Sequence, residues 1–517
     1  MSDETLPSDD ASAPRWLTKA RAFFAAPGVA HALRVIAGAL LLMVPILLNG
    51  RPFPFTDTAT YFQSGYYVIQ SFTDRYVPIS DFSRSYLGAR SPFYGLPLTG
   101  LEAIGTLWLV VALQALAAAQ MLDMMARAIG GALARTIYWT SIIALMLVSS
   151  LPLFIGFVMP DLSAAFAAIA IALLVFYPER AARWERIGLW IALTAALTFH
   201  LTHMFVAVFA MPAALGLHWL LKMPERTKRA VKLGAAFAIG AVAWIVLAVV
   251  NTNLPKPLYS PPFLTARVLA DGPGKAYLRH ACAADKDRYV LCVYADKPFN
   301  NSDEILWSWS KERGVFATAP HAMRVQLMAE QRRFVLDSIL YDPMAQIRAS
   351  SWAFVKQLAA VGVDEGFKLD AHFWMTYPPD FYLKTMAIRV NLCPEPLVKC
   401  PARLPLEEIS VWNTVWVGIA SVYLLGWTIS AFVTGGLRND AEMRLFAAFG
   451  AALLFTVIVN AAVCGILSGP FPRYQARIAW LIPALAIIAE LRFGVIKPAI
   501  LALRAALPPL RPRQSAP

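Results

Sequence analysis

Four short stretches of the 517-residue chain carry residue types suited to acid–base and anion chemistry. Asp57, in FPFTDTATYF, offers a carboxylate flanked by threonines; Asp161 follows Met-Pro in FVMPDLSAAF. His200 and His203 stand three apart in TFHLTHMF, and Arg473, Tyr474 and Arg477 share GPFPRYQARIAW. A carboxylate at a wet interface suits general-base work. Arginines four apart fall on one helix face and present the multidentate donors that match phosphate oxygens. Arg90, in ARSPFYG, is a further cation for an anionic ligand. The histidine spacing suits two ligands of a metal but no third protein ligand accompanies it, so a divalent metal stays open and no cofactor is specified. Each group also has a purely structural reading. Thr-Asp-Thr is an ordinary N-cap, Asp161 an ordinary acid at a helix N-terminus, the histidines satisfied polar groups and the arginines interfacial snorkels.

The elements that must position these residues are membrane helices. Hydrophobic residues make up 58% of the chain and charged residues 15%, with a mean hydropathy of +0.54, too apolar for a soluble fold of this size. Weakly charged apolar runs recur at 30–49, 100–121, 136–152, 159–177, 187–203, 204–221, 233–250, 411–433, 443–466 and 476–492, each near the length that crosses ~30 Å of hydrocarbon as helix. The chain thus reads as an all-α polytopic membrane protein of about ten transmembrane helices. The segment before residue 30 lacks the features of a cleaved signal peptide, so the first apolar run is expected to remain as a span. The net charge of +13 lies in scattered basic residues without a basic cluster, which argues against nucleic acid. With the N-terminus inside, short cytoplasmic loops and tails hold 21 Lys and Arg against six in the short external stretches, predicting N-in and C-in. On that topology all four stretches sit near the external interface.

The organisation is a cytoplasmic tail over 1–29 and a membrane region over 30–250 with an external loop at 50–99. An external segment follows over 251–410, inserted between spans seven and eight, then a membrane region over 411–492 and a cytoplasmic tail over 493–517. The external segment is long enough to be folded. YVLCVY (289–294) reads as a strand, and 323–342 and 344–361 as helices, making it α+β. Four of the five cysteines lie there, and the close pairs Cys282/Cys292 and Cys393/Cys400 suggest local disulfides. In the first loop, 58–72 reads as an amphipathic surface helix and 84–100 re-enters towards span two. Tyr61, Tyr66, Tyr67, Phe93 and Tyr94 offer aromatic platforms there.

With FPFTDTATYF after span one, RSPFYGLPLTG before span two, MPD at 159–161, and Arg473-Tyr474 ahead of AWLIPAL, the chain resembles the GT-C superfamily of integral membrane glycosyltransferases. The resemblance covers 30–250 and 411–492. Members often carry a paired acidic motif in loop one, whereas this chain has the single Asp57. The resemblance implies transfer of a sugar from a polyprenyl-phosphate donor, in a bacterial inner membrane, to a glycan, lipid or protein acceptor on the outer side. Asp57 and Asp161 would be catalytic, with Arg90, His200, His203, Arg473, Tyr474 and Arg477 binding substrate and membrane lipid enclosing the prenyl chain. The competing readings are a transporter or flippase of a lipid-linked substrate, and a non-enzymatic envelope assembly protein. Few ionisable residues inside the spans and no internal repeat weigh against a coupled carrier.

Overall fold

The computed structural model describes residues 26–70, 81–104, 106–254, 256–367 and 402–494. These residues are helical, and no strand occurs among them. In chain order the α-helices are α1 (Pro27–Asn49), α2 (Thr56–Gln70), α3 (Asp81–Leu87), α4 (Pro92–Ala103), α5 (Trp108–Gly130), α6 (Ala134–Val148) and α7 (Leu151–Ile155). Next come α8 (Ser163–Phe176), α9 (Arg183–Phe199), α10 (Leu201–Leu220) and α11 (Arg226–Asn253). The inserted segment holds α12 (Phe263–Asp271), α13 (Pro273–Ala284), α14 (Ser302–Trp307), α15 (His321–Tyr341), α16 (Pro343–Ala359) and α17 (Asp364–Phe367). The chain then continues through α18 (Leu406–Val433), α19 (Gly436–Asn439), α20 (Ala441–Leu467), α21 (Pro472–Ala479) and α22 (Leu481–Phe493).

Six helical stretches are long and apolar enough to cross a membrane: α1, the run Trp108–Val148, α10, α11, α18 and α20. Their outward faces carry unpaired apolar residues such as Leu40, Ile245, Val422 and Phe432. The 41-residue run folds back on itself at Gly131, whose φ of 55° favours a residue without Cβ, so α5 and α6 pack side by side. Nearly every residue of α8 is buried among α9, α10 and α20, which explains its unbroken apolar sequence SAAFAAIAIALLVF. The last apolar run is divided at Trp480 into α21 and α22. Pro483 has no N–H for the carbonyl of Ala479, four residues earlier, and this accounts for the break.

The bundle carries ionic clusters at both ends. At the end away from the insert, the buried Asp123 accepts from Arg34 Nε (2.8 Å) and Arg127 Nε (2.6 Å). Arg127 also reaches the buried Glu185, which Gln120 joins at 2.9 Å. This network ties α1, α5 and α9 together.

The insert differs from expectation in one element. YVLCVY forms no strand: Val290–Tyr294 is a 3-10 turn, so the described insert is helical rather than α+β. The Cys282–Cys292 disulfide closes that stretch onto α13, and with the cysteines only ten positions apart a compact turn satisfies the crosslink better than an extended strand. Cys393 and Cys400 lie outside the described residues. A second apolar core, including Leu269, Leu278, Phe316 and Phe334, holds the insert together. α16 packs along α20, and Gln357 exchanges bonds with the backbone of Phe471 at 2.8 and 2.9 Å.

The first loop also departs from expectation. α2 is packed rather than spread on a surface, with Tyr61 and Phe62 buried against α4. The helices cross at two glycines: a Cβ on Gly95 would stand 2.3 Å from the carbonyl oxygen of Tyr61 and 2.8 Å from the nitrogen of Gly65. Tyr61 and Tyr94 meet edge to face at 5.1 Å inside this contact, so they are core residues and not open platforms.

Candidate functional site

Three local devices bring the sequence candidates together at the insert end. The loop leaving α1 pairs with the stretch ahead of Asp161: Phe53 N donates to Gly156 O (2.8 Å) and Val158 N to Phe53 O (2.9 Å), a single parallel bridge. Thr58 strengthens it. Its hydroxyl accepts from Phe55 N at 2.8 Å and donates to Val158 O at 2.9 Å. Thr58 is therefore a tether between the segments that carry the two acids. Secondly, the α2–α4 crossing sets Arg90 over the start of α2. Its Nη2 donates to Asp57 Oδ1 at 2.5 Å and its Nε to Thr60 Oγ1 at 2.9 Å. Thirdly, Ser150 Oγ donates to Ala476 O at 2.6 Å, holding the chain before Asp161 against α21 and its arginines.

Asp161 lies in a 3-10 turn, Pro160–Leu162, with Pro160 at its start, and is 2% exposed. Arg477, fully buried, donates from Nη1 to Asp161 Oδ1 at 3.4 Å; Arg473 Nε stands 4.0 Å from the same oxygen. Nη2 of Arg477 reaches Asn460 Oδ1 (2.9 Å), Cys464 Sγ (3.3 Å) and Thr202 Oγ1 (3.5 Å). The Arg473 guanidinium lies 4.0 Å from the Phe55 ring centre and 5.0 Å from that of Tyr474. Asp57 is within electrostatic reach of Arg473 as well. Thus Asp57, Arg90, Asp161, Arg473, Tyr474 and Arg477 belong to one cluster.

The histidines join it differently from the sequence reading. They do not share a helix face, because His200 has extended backbone (φ −146°, ψ 128°) and forms the break between α9 and α10. Its Nδ1 accepts from the Thr202 N–H at 3.2 Å, a local cap that ends one helix and starts the next. His203, in the first turn of α10, lies with Nδ1 3.0 Å from Ala196 O and 3.3 Å from Ser163 Oγ. The imidazoles are 5.2 Å apart, and among the described residues no three His, Cys, Asp or Glu side chains group as metal ligands.

Three buried polar atoms in this cluster have no partner among the described residues: Arg473 Nη1, Arg477 Nε and His203 Nε2. Buried donors are normally paired. The two arginine donors lie beside Asp161 and mark a place able to receive an acceptor-rich group, such as an oxyanion, whereas His203, whose Nδ1–H goes to Ala196 O, presents an acceptor at Nε2.

Sequence reasoning missed four members of the cluster. Asn460 and Cys464 lie one turn apart on α20, each a polar or polarisable residue in an apolar run, and both contact Arg477. Thr202 sits between the two histidines. The fourth is Asp303, from the insert. Ser302 Oγ donates to Ser468 O at 3.1 Å, docking α14 on the loop that leads to Arg473. Asp303 is open to solvent yet set in a recess of protein. Burial there, together with the Asp57 carboxylate, pushes its pKa up to about 6, against a smaller opposing pull from Arg473. An acid at a helix start following Asn-Ser is common enough that spacing alone gave it no prominence. No protein-family model, curated protein or solved structure matches this chain.

Proposed function

We propose that this chain is a membrane glycosyltransferase of GT-C type, moving a sugar from a polyprenyl-phosphate donor to an acceptor hydroxyl on the insert side of the membrane. The observation that carries the reading is the pair of buried arginines with unmet donors, Arg473 Nη1 and Arg477 Nε, beside carboxylates. The departing group in such a reaction is a phosphate, whose developing charge needs fixed cations more than a general acid. In the same reading Asp57, held by Arg90 through Oδ1, takes the acceptor proton, while Asp161 fixes the arginines. A cavity of about 350 Å³ between α16 and α20, lined by Ile347, Phe354, Ala462 and Ile466 among others, offers apolar room for part of a lipid chain. Ten crossings, with N- and C-termini in the cytoplasm of a bacterial inner membrane, fit the basic-residue count and place the insert outside.

The test is transfer of radiolabel from polyprenyl-phosphate sugars, made in host membranes, to endogenous acceptors in vesicles. Asp57→Asn is expected to cost ~10²–10⁴-fold at unchanged protein level, the usual loss for a positioned base. Normal transfer by the Asp57→Asn/Asp161→Asn double variant, present in normal amount, overturns the proposal. Lipid translocation without any transfer moves the assignment to a flippase.

A further inference from the structure

Resting on the transfer reading above, we propose that His200 and His203 are a hydroxyl-reading pair: His200 offers an Nε2–H and His203 an Nε2 lone pair, and between them they bind one hydroxyl of the donor sugar. A hydroxyl donates and accepts at once, so a single group answers both rings. The donor's phosphate carries acceptors only and is left to the arginines. The sugar itself, and not only its phosphate, is then selected where α9 gives way to α10.

Hydrogen-bond geometry sets the two tautomers in opposite senses. The Thr202 N–H can only donate, and it stands 3.2 Å from His200 Nδ1, so that nitrogen is the acceptor and the proton sits on Nε2. The Thr202 hydroxyl, 2.7 Å from the same Nδ1, must then turn its own proton to it, which leaves its oxygen to accept from Arg477 Nη2 at 3.5 Å. This chain ties His200 by contact to the arginine on the phosphate side. His203 is set the other way. Because His200 leaves the helix, the last carbonyls of α9 lose their main-chain donors and take side chains instead. Leu197 O accepts from Trp244 Nε1 at 2.9 Å, Thr198 O accepts from Ser91 Oγ at 2.6 Å, and Ala196 O lies 3.0 Å from His203 Nδ1. Ser163 Oγ, 3.3 Å from His203 Nδ1, spends its proton on Pro160 O at 2.5 Å. Both neighbours of Nδ1 are therefore acceptors, Nδ1 carries the hydrogen, and Nε2 of the neutral ring is a lone pair. That atom is enclosed and has no partner among the described residues, His200 included. The His200 ring is half-buried, with its centre 5.2 Å from that of His203. Since Ser163 follows directly on the turn that holds Asp161, both rings adjoin the arginine–carboxylate cluster.

Two measurements on the full-length protein separate this inference from the reading it rests on. Solid-state NMR of histidine-labelled protein distinguishes the tautomers from the ring nitrogen shifts without any substrate, and His200→Asn and His203→Asn assign the signals. An Nε2–H ring at His200 and an Nδ1–H ring at His203 are expected at neutral pH. The same tautomer in both, or a charged His203, overturns the inference whatever the enzyme does. Asparagine reaches only as far as Nδ1, so His200→Asn keeps the cap on the Thr202 N–H and His203→Asn keeps the bond to Ala196 O. Each deletes the Nε2 end alone, whereas glutamine reaches that end with an amide that can donate or accept. The probe is the polyprenyl-phosphate sugar that labels acceptors in the vesicle assay, resynthesised beside its monodeoxy analogues. Wild type should use it about ten- to a hundredfold faster than the analogue lacking the bound hydroxyl. Either Asn variant should lose that preference, the parent donor falling towards its analogue, and the Gln variants should recover part of it. Equal losses for both donors, an undiminished preference in the Asn variants, or no preference in the wild type overturns the inference and leaves the glycosyltransferase reading standing. Absence of any labelled transfer refutes that reading and, with it, the sugar hydroxyl assigned to the pair.

Discussion

Replacing Arg477 with Met tests whether the Asp161–arginine cluster is an electrostatic unit. Arg477 is fully buried and Asp161 is 2% exposed, so removing the guanidinium strands a carboxylate in a low-dielectric interior. Breaking a buried pair from one side costs ~3–5 kcal/mol. Arg473 Nε remains 4.0 Å from Asp161 Oδ1, which sets the expected loss at the lower end, about 3 kcal/mol. Unfolding entropy of ~2.1 cal/mol/K per residue over the 517 residues gives about 1.1 kcal/mol/K, hence a midpoint lowered by roughly 3 °C if the chain melts as one unit. The double variant Asp161→Asn/Arg477→Met removes both charges and should return to within ~1 kcal/mol of the wild type, so that adding Asp161→Asn recovers about 2 kcal/mol of the Arg477→Met loss. Thermal midpoints of detergent-purified protein, compared at one heating rate because such unfolding is commonly irreversible, supply the readout. Additive losses in the double variant, or an unchanged midpoint in Arg477→Met, refute the argument.

Gly95→Ala should force α2 and α4 apart, because the new methyl would meet Tyr61 O at 2.3 Å; the expected cost is ~1–3 kcal/mol. Transfer should fall with it as the Asp57–Arg90 bond at 2.5 Å is lost, and unchanged stability and activity would contradict the tight crossing. Differential alkylation should find Cys282 and Cys292 blocked in protein purified without reductant, and breaking that bridge should cost roughly 2–3 kcal/mol; free thiols at both positions refute it. For orientation, a thiol at Lys286→Cys should react with an impermeant reagent from outside, whereas one at Thr227→Cys should require permeabilisation; both sites are exposed. The reverse pattern inverts the topology.

The helical, apolar class of this protein is legible in its residues, because spanning length and low charge leave few other folds. The sequence also picked out most of the polar cluster. Asp57, Asp161, Arg473 and Arg477 stand out as charges beside long apolar runs, and a charge there is rare enough to signal a role. It misread elements whose conformation depends on distant partners. VLCVY has strand-like residues, yet a disulfide to α13 draws it into a 3-10 turn. The run 58–72 has a surface-like pattern, yet Gly65 and Gly95 let α4 cover it. His200 and His203 have helical spacing, yet His200 ends one helix and caps the next. What surrounds each charge is set by contacts between segments far apart in the chain. The Phe53–Phe157 bridge draws Asp57 towards Asp161, and Ser302 brings Asp303 to the site from 246 residues beyond Asp57. Periodicity reports which face of an element is apolar, but says nothing about which polar group another segment will set against it.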